Sequence, residues 1–170
     1  MTTEEFFNSG KIRTYTGKHV DVFNPDPETI LIEDIAHALA NLPRWGGHLQ
    51  KKYSVAQHCI YCAYLAPEKH KLEALLHDAA EAYLLDMPSP IKRQLPNYKQ
   101  LEDNLLRVIA DRFGIQYPFD PIIKQIDRDL LKMEYENIML GEHCSPLKED
   151  LFPHLTGREM FLIQFHSQTI

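Results

Sequence analysis

Two adjacent residues, His77 and Asp78, place an imidazole and a carboxylate inside the apolar run LLHDAAEAYLLDMPSPIK. Neighbouring helical residues point about 100° apart, so both side chains can reach an ion that lies between this helix and its neighbours. A charged carboxylate beside apolar residues is unfavourable unless it is paired or bound to a metal. Glu81 follows His77 by one turn on the same face. This concentration of ionisable groups predicts a functional site.

A metal ion needs further ligands, and two other helical segments offer them. His58 lies at the edge of the apolar stripe of the preceding segment. Asp127 falls within the apolar pattern of a later segment and is the preferred ligand there, with Asp129, spaced toward a more polar side, as the alternative. The resulting donor set mixes nitrogen and oxygen, which suits Mn, Co, Zn, Fe or Ni better than Ca. Its members are His58, His77, Asp78 and Asp127.

The elements that must position these residues are predicted to be helices. Apolar residues recur at helical spacing over segments that end near proline or glycine, namely 32–42, 54–66, 68–85, 98–113 and 121–140. Ser54 and Gln57 are typical of a capping box, and the wide apolar face of 68–85 is typical of a central helix. A short helix is predicted over 157–166, and Thr16-Gly17 predicts the turn of an N-terminal β-hairpin. The fold class is therefore all-α, a compact helical bundle.

Composition limits the classes of protein to which the chain can belong. Its 170 residues suit a single domain over 1–170, and 44% hydrophobic with 25% charged residues is ordinary for a soluble globular protein. The net charge of −6 argues against a large surface for nucleic acid. No stretch approaches the roughly 18 apolar residues of a membrane span, and the acidic start has no signal-peptide core. We therefore expect a cytoplasmic protein that binds neither nucleic acid nor membranes.

The three cysteines include a C-x-x-C pair, Cys59 and Cys62. A structural zinc site would need a second pair, and only Cys144 remains. A redox motif would need a strand and a helix N-terminus around the pair, which instead lies in the middle of a predicted helix. The sequence therefore favours small buried apolar residues over a second metal or redox site.

The order of His58, then His77-Asp78, then Asp127 resembles the H…HD…D signature of the HD superfamily of metal-dependent phosphohydrolases. The run HDAAEAYLLDMPSPIK is closer still to the small 5′-deoxynucleotidase branch of that superfamily. The segments IEDIAHALANLPRWGGH and YSVAQH look like those of bacterial and phage HD proteins, some of which are deoxynucleoside triphosphate triphosphohydrolases. The resemblance covers roughly residues 28–140.

The resemblance implies an HD-domain bundle around one divalent ion, with Mg as a companion of the substrate phosphates. Glu81 would orient or deprotonate the attacking water, and Asp86 would assist proton transfer or position the substrate. Arg44 and Trp45 resemble an arginine–aromatic pair that contacts phosphate and base, and Lys92 is a candidate phosphate contact. The resemblance also implies a homo-oligomer.

These observations lead to a hypothesis of metal-dependent hydrolysis of deoxynucleotide phosphates, by a 5′-deoxynucleotidase or a triphosphohydrolase. Phosphate esters and anhydrides need a Lewis acid and cationic side chains, and both are predicted. The alternative is a nucleotide-binding regulatory module that has lost turnover, for which a missing ligand or a missing Glu81 would be the hallmark. Glu134, seven residues after Asp127 on the same face, is interpreted as structural, with support of the site from outside as the alternative.

Overall fold

The helical pattern of the sequence is realised in the computed structural model, which describes residues 3–50, 52–141 and 156–169. The α-helices are, in chain order, α1 (Thr3–Phe7), α2 (Ile32–Asn41), α3 (Val55–Leu65), α4 (Lys71–Leu76), α5 (Glu81–Leu84), α6 (Ser89–Lys92), α7 (Pro96–Phe113), α8 (Pro121–Glu134) and α9 (Gly157–Gln168). Short 3₁₀ turns cover Pro27–Thr29, Arg44–Gly47 and Glu68–His70, and a π-helical segment covers Tyr135–Met139. The all-α prediction is confirmed.

The N-terminal hairpin is confirmed as well. Strand β1 (Ile12–Arg13) pairs antiparallel with β2 (His19–Val20), and Gly17 takes the positive φ of 91° in the turn between them. The turn is fastened to α2, because the amide and the hydroxyl of Thr16 donate to the two carboxylate oxygens of Asp34 at 2.7 and 2.8 Å. The hairpin therefore packs against the bundle as a small appendage.

Helix α3 occupies the central position among the described helices, where it contacts α2, α4, α8 and α9. It begins with the predicted capping box, since Ser54 Oγ accepts from the amide of Gln57 at 3.3 Å and Gln57 Oε1 accepts from the amide of Ser54 at 2.9 Å. The sequence assigned the central position to 68–85 instead. Small side chains such as Ala56 and Ala63, both fully buried, let neighbouring helices approach α3 on several sides.

The predicted continuous helix over 68–85 is interrupted, and this prediction was wrong in its detail. Helices α4 and α5 are separated by a tight turn over 77–80, in which the amide of Glu81 donates to the carbonyl of Asp78 at 2.9 Å. In a continuous α-helix the carbonyl of Ala74 would accept from the amide of Asp78. Here Ala74 accepts from the ring of His77 at 2.7 Å. A side-chain bond to the backbone thus lies where the helical ladder breaks.

One cluster of buried apolar side chains joins α2, α3, α4, α7, α8 and α9. Its largest fully buried members include Ile35, Leu75, Leu105, Leu130 and Phe161. Each such side chain contributes about 1.5–3 kcal/mol through removal of apolar surface from water. Among the described residues, no helix is both long and apolar enough to cross a bilayer. The cluster fixes α3, α4 and α8 relative to one another, and these elements carry the candidate metal ligands.

Candidate metal centre

His58 is fully buried in the middle of α3. Its Nδ1 donates to Glu134 Oε1 at 2.6 Å, which leaves Nε2 to face the carboxylates of the site. Nε2 lies 3.1 Å from Asp127 Oδ1 and 3.7 Å from Asp78 Oδ2. The structure therefore brings together residues from α3, α8 and the turn after α4, as the sequence predicted.

His77 presents the second imidazole from the turn after α4. Because Nδ1 donates to the carbonyl of Ala74, Nε2 is free to point inward. This Nε2 lies 3.2 Å from Asp78 Oδ2 and 3.8 Å from Asp127 Oδ1. It is buried, and its contacts with these two carboxylates are ion pairs without a well-formed hydrogen bond. A buried ring nitrogen without a partner is unfavourable unless a ligand satisfies it.

Two of the four nitrogen–oxygen distances in the cluster match those around a single ion, and the other two are 0.3–0.4 Å longer. Bonds of about 2.1 Å to one metal place neighbouring donors about 3.0–3.4 Å apart. The distances between the two Nε2 atoms and the two carboxylates run from 3.1 to 3.8 Å. Asp129, the alternative to Asp127, is exposed and accepts from Gln125 at 2.9 Å instead. The donor set thus fits a divalent ion, and Asp127 is the aspartate of α8 that faces it.

The buried imidazoles and carboxylates of the cluster favour one another's charged forms. Burial and the charge of Arg44 oppose the imidazolium of His58, yet the hydrogen bond to Asp127 raises the pKa of His58 well above its ordinary value. Burial opposes the charge of His77 too, but the carboxylate of Asp78 raises that pKa. The pKa values of Asp78 and Asp127 are lowered, because the neighbouring imidazoles outweigh burial. A divalent cation can replace the protons held between these groups.

Two cysteines lie closer to this cluster than the sequence suggested. Cys62 Sγ is 3.6 Å from His58 Nε2, and His58, Cys62 and His77 offer ligand atoms within 4.8 Å of one another, as do Cys59, His77 and Asp78. The structure therefore contains a buried His/Cys/Asp cluster that could hold a metal ion. Burial raises the pKa of Cys59, and a neutral thiol is a poor ligand. Cys62 lies one helical turn after His58, a spacing that the sequence shows but that was interpreted as part of a buried apolar stripe.

Glu81 begins α5 directly after the turn that carries His77 and Asp78, and it is 5% exposed. Burial, followed by the charges of Asp78 and Asp86, raises its pKa well above the ordinary value. One oxygen, Oε2, is buried without a hydrogen-bond partner. A carboxyl group of raised pKa beside a metal site is suited to general acid–base chemistry.

Asp86 follows a strained turn at the end of α5. Leu85 has φ 69° and ψ 157°, a conformation that is found almost only for glycine, and its side chain is 65% exposed. The hydroxyl of Tyr98, on α7, donates to the carbonyls of Leu84 at 3.1 Å and Leu85 at 2.9 Å. Burial raises the pKa of Asp86. The turn therefore carries a second perturbed carboxyl group near Glu81, and α7 holds it in place.

Removal of the Tyr98 hydroxyl should loosen this turn. We expect Tyr98→Phe to lower the free energy of unfolding by about 1 kcal/mol, the usual value of a lost hydrogen bond. Urea unfolding measures the change, and Tyr64→Phe is the matched control because Tyr64 is 70% exposed. Equal unfolding midpoints for Tyr98→Phe and the wild type would show that the two carbonyl contacts do not stabilise the turn.

Arg44 reaches the metal cluster from the 3₁₀ turn after α2. Its side chain is buried, with Nη2 3.1 Å from Glu134 Oε2 and Nη1 3.7 Å from Asp78 Oδ2. The backbone beneath it is fixed by an antiparallel bridge between Pro43 and Ser54. Arg44 Nε is buried without a hydrogen-bond partner. The arginine thus lies beside the candidate metal ligands, whereas its predicted contact with a substrate phosphate stays a prediction.

Trp45 follows Arg44 in a left-handed conformation, with φ 57° and ψ 30°. Its ring lies 5.8 Å from that of Tyr135, in a tilted arrangement, and its Nε1 is buried without a hydrogen-bond partner. A non-glycine residue in this conformation costs about 1–3 kcal/mol and persists only where neighbouring contacts hold it. The turn therefore places the ring of Trp45 against Tyr135, and the predicted contact with a base stays a prediction.

Lys92 lies near Glu81 but is already paired. Its Nζ is 2.6 Å from Glu102 Oε1 and 3.9 Å from Glu81 Oε1. Although burial opposes its charge, the contacts with Glu102 raise the pKa of Lys92. The structure therefore places a permanent positive charge beside Glu81, whereas the predicted contact between Lys92 and a phosphate stays a prediction.

Two bacterial proteins are similar to this chain over most of its length. The uncharacterized protein YfdR of Escherichia coli K12 is 40% identical over 131 residues, which cover 77% of this chain and 74% of YfdR. The chain belongs to the YfdR family. The uncharacterized protein RCAP_rcc00048 of Rhodobacter capsulatus is 36% identical over 140 residues, which cover 74% of this chain and 71% of the relative. No protein-family model matches the sequence, and neither relative of the YfdR family carries a name that states an activity.

Proposed function

We propose that this protein is a divalent-metal-dependent phosphohydrolase that acts on deoxynucleotides. The observation that supports it most directly is the buried His77 Nε2, which has no hydrogen-bond partner and faces two carboxylates and a second imidazole. The HD-type arrangement of these residues in the sequence supports the reaction class. A divalent ion in this position supplies a Lewis acid that polarises a phosphoryl oxygen and lowers the pKa of water.

The proposed ligands are His58, His77, Asp78 and Asp127. Their two imidazoles and two carboxylates favour Mn, Co, Zn, Fe or Ni over Ca, which prefers a shell of oxygen atoms. Both rings are fixed through Nδ1, so that neither needs to reorient when Nε2 becomes a ligand. The site is therefore organised for an ion before the ion binds.

The other residues of the site have distinct proposed roles in the reaction. Glu81 takes a proton from the attacking water, because its raised pKa makes the carboxylate a stronger base than an ordinary glutamate. Asp86 holds a second proton near the leaving group, since burial raises its pKa as well. Arg44 neutralises charge on the phosphoryl group, and the positive charge of Lys92 beside Glu81 favours the carboxylate form of Glu81.

The substrate class rests on the resemblance to HD nucleotidases together with the arginine–aromatic turn at Arg44 and Trp45. An aromatic ring beside a cationic group suits a nucleotide, which offers a base to stack on and a phosphate to pair with. A monophosphate and a triphosphate remain the two candidate substrates. The released product distinguishes them, because a monophosphate yields orthophosphate and a triphosphate yields tripolyphosphate.

The test is phosphate release by metal-stripped protein from a panel of deoxy- and ribonucleoside mono- and triphosphates. Mn, Co, Mg or Zn is added back separately, and the product is identified as orthophosphate or tripolyphosphate. Metal-dependent release from any deoxynucleotide supports the proposal. A protein that binds metal and nucleotide without turnover with any pair would instead be the regulatory module.

Addition of metal should also stabilise the fold, because the ion binds a site that is absent from the unfolded chain. At a concentration about 100 times its Kd, an ion adds about 2.7 kcal/mol, which raises Tm by about 5–10 °C for a chain of this size. Differential scanning fluorimetry on stripped protein measures the shift. Ca, at equal ionic strength, is the control and should give a smaller shift. Equal shifts with Ca and with Mn or Co would contradict the mixed nitrogen and oxygen ligand set.

A further inference from the structure

Glu134, the last residue of α8, is a carboxylate with no exposed surface. A buried charge is destabilising unless it is paired and hydrogen-bonded, and Glu134 has three such partners. Its Oε1 accepts from His58 Nδ1 at 2.6 Å and from the hydroxyl of Tyr53 at 2.9 Å. Its Oε2 accepts from Arg44 Nη2 at 3.1 Å. The two oxygens of one carboxylate therefore hold a candidate metal ligand and the candidate phosphate-binding arginine.

We propose that Glu134 is a positioning residue that orients His58 toward the metal and Arg44 toward the substrate at the same time. The inference rests on the proposed function and names the residue that connects the two halves of that site. Such a role goes beyond the structural one that sequence spacing suggested.

For His58, the contact with Glu134 selects the ring nitrogen that becomes the ligand. A proton on Nδ1 that is donated to a carboxylate leaves the lone pair of Nε2 toward Asp127 and Asp78, and it makes the ring a stronger ligand. Without an acceptor at Nδ1, the ring proton could move to Nε2, or the ring could rotate. Loss of Glu134 should therefore weaken metal binding while the ligands themselves remain.

For Arg44, the contact with Glu134 sets the direction of the guanidinium. The backbone of Arg44 is already anchored, since its amide donates to the carbonyl of Tyr53 at 2.9 Å. Glu134 then engages Nη2, which leaves Nη1 beside Asp78 and Nε without a hydrogen-bond partner. Tyr53 thus supports the arginine through its backbone and supports Glu134 through its hydroxyl. Loss of Glu134 should therefore also weaken substrate binding.

A purely structural role would be poorly served by this arrangement. Replacement of a buried ion pair by apolar side chains of similar volume is often neutral or stabilising. Apolar side chains in place of Glu134 and its partners together, for example a leucine at the end of α8, could therefore fill this space without loss of stability. What a leucine could not do is accept hydrogen bonds from a metal-binding imidazole and an arginine together, and this is the property that the test isolates.

The experiment compares Glu134→Gln with Glu136→Gln, the same change at a side chain that is 40% exposed. Metal affinity is measured by chelator competition with Co and Mn, and the visible spectrum of the Co-loaded protein reports the ligand geometry. We expect Glu134→Gln to lose about 10- to 100-fold in metal affinity and to alter the Co spectrum. At saturating metal, kcat should largely recover while the KM for the nucleotide stays raised several-fold, because Arg44 is still misdirected. Glu136→Gln should match the wild type in all of these.

Wild-type metal affinity, Co spectrum and KM in Glu134→Gln would overturn the inference. If that variant does not fold, Glu134→Asp carries the test, since its shorter side chain keeps the charge but cannot reach both His58 and Arg44. It should lose metal affinity or raise KM, and a wild-type result in both would likewise refute the role. A wild-type protein that binds no metal would refute the proposed function instead, so the two failures are distinguishable.

Discussion

Replacement of His77 by alanine will abolish metal binding and turnover together. Its Nε2 is the buried ring nitrogen without a hydrogen-bond partner. Even the hydrogen bonds that only support a metal ligand from outside the coordination shell are worth about 10- to 100-fold in metal affinity. Loss of a ligand should therefore weaken binding by more than about 100-fold and reduce turnover to background. Metal content after dialysis, measured by elemental analysis, and phosphate release are the two readouts.

The matched control for His77 is His166→Ala, since His166 is an exposed histidine on α9. It should retain the metal and full activity. Both variants need a thermal unfolding curve, because His77 also donates to the carbonyl of Ala74 and its loss should cost about 1 kcal/mol of stability. A folded His77→Ala protein that keeps one tightly bound ion would contradict the proposed ligand set and would direct attention to Cys62.

Replacement of Glu81 by glutamine will separate chemistry from metal binding. Glutamine keeps the size of the side chain but cannot exchange a proton, so we expect kcat to fall by about 10²- to 10⁴-fold. The metal ligands are untouched, and metal affinity should stay within a few-fold of the wild type. Single-turnover phosphate release at saturating metal gives the rate, and chelator competition gives the affinity.

Glu33→Gln, at an exposed position of α2, is the control for this change and should leave the rate unaltered. Full activity in Glu81→Gln would remove Glu81 from the proposed proton transfer. In that case Asp86, the other carboxyl group of raised pKa in the site, would be the next candidate.

Local signals in the sequence predicted much of the fold. Ser54 and Gln57 begin α3 as a capping box, and Gly114 ends α7 in the left-handed conformation that favours glycine. The turn of the hairpin at Gly17 likewise depends on residues close in sequence. Such signals act over a few residues, which is why they can be recognised without knowledge of the packing.

The interruption at His77 could not be predicted in the same way. It involves a ring nitrogen bonded to a carbonyl three residues earlier, and the apolar periodicity on either side continues as if the helix were unbroken. The end of α8 is a similar case, because the change to a π-helical segment after Glu134 leaves no mark in the pattern. Cys144, the third cysteine, lies outside the described residues.

Contacts between distant residues account for the rest of the candidate site. Asp127 could be preferred to Asp129 because its position relative to Ile123 and Ile126 follows from helical spacing alone. The carboxylate that accepts hydrogen bonds from both His58 and Arg44 could not be predicted in this way, because those residues are separated from Glu134 by 76 and 90 positions. Sequence reasoning identified the chemical groups, whereas the packing of α3 on α8 determines which of them meet.

The bridge between Pro43 and Ser54 closes the loop that begins with Arg44. Residues beyond it, such as Gly46, Gly47 and Gln50, are exposed. The structural effect of an insertion or deletion in this exposed tip would stop at the bridge, so that α2 and α3 would not shift. The exposed tip beyond Trp45 is therefore a replaceable module, in which length and side chains can diverge among homologues, or be exchanged by grafting, while Arg44 and the candidate metal ligands stay in register.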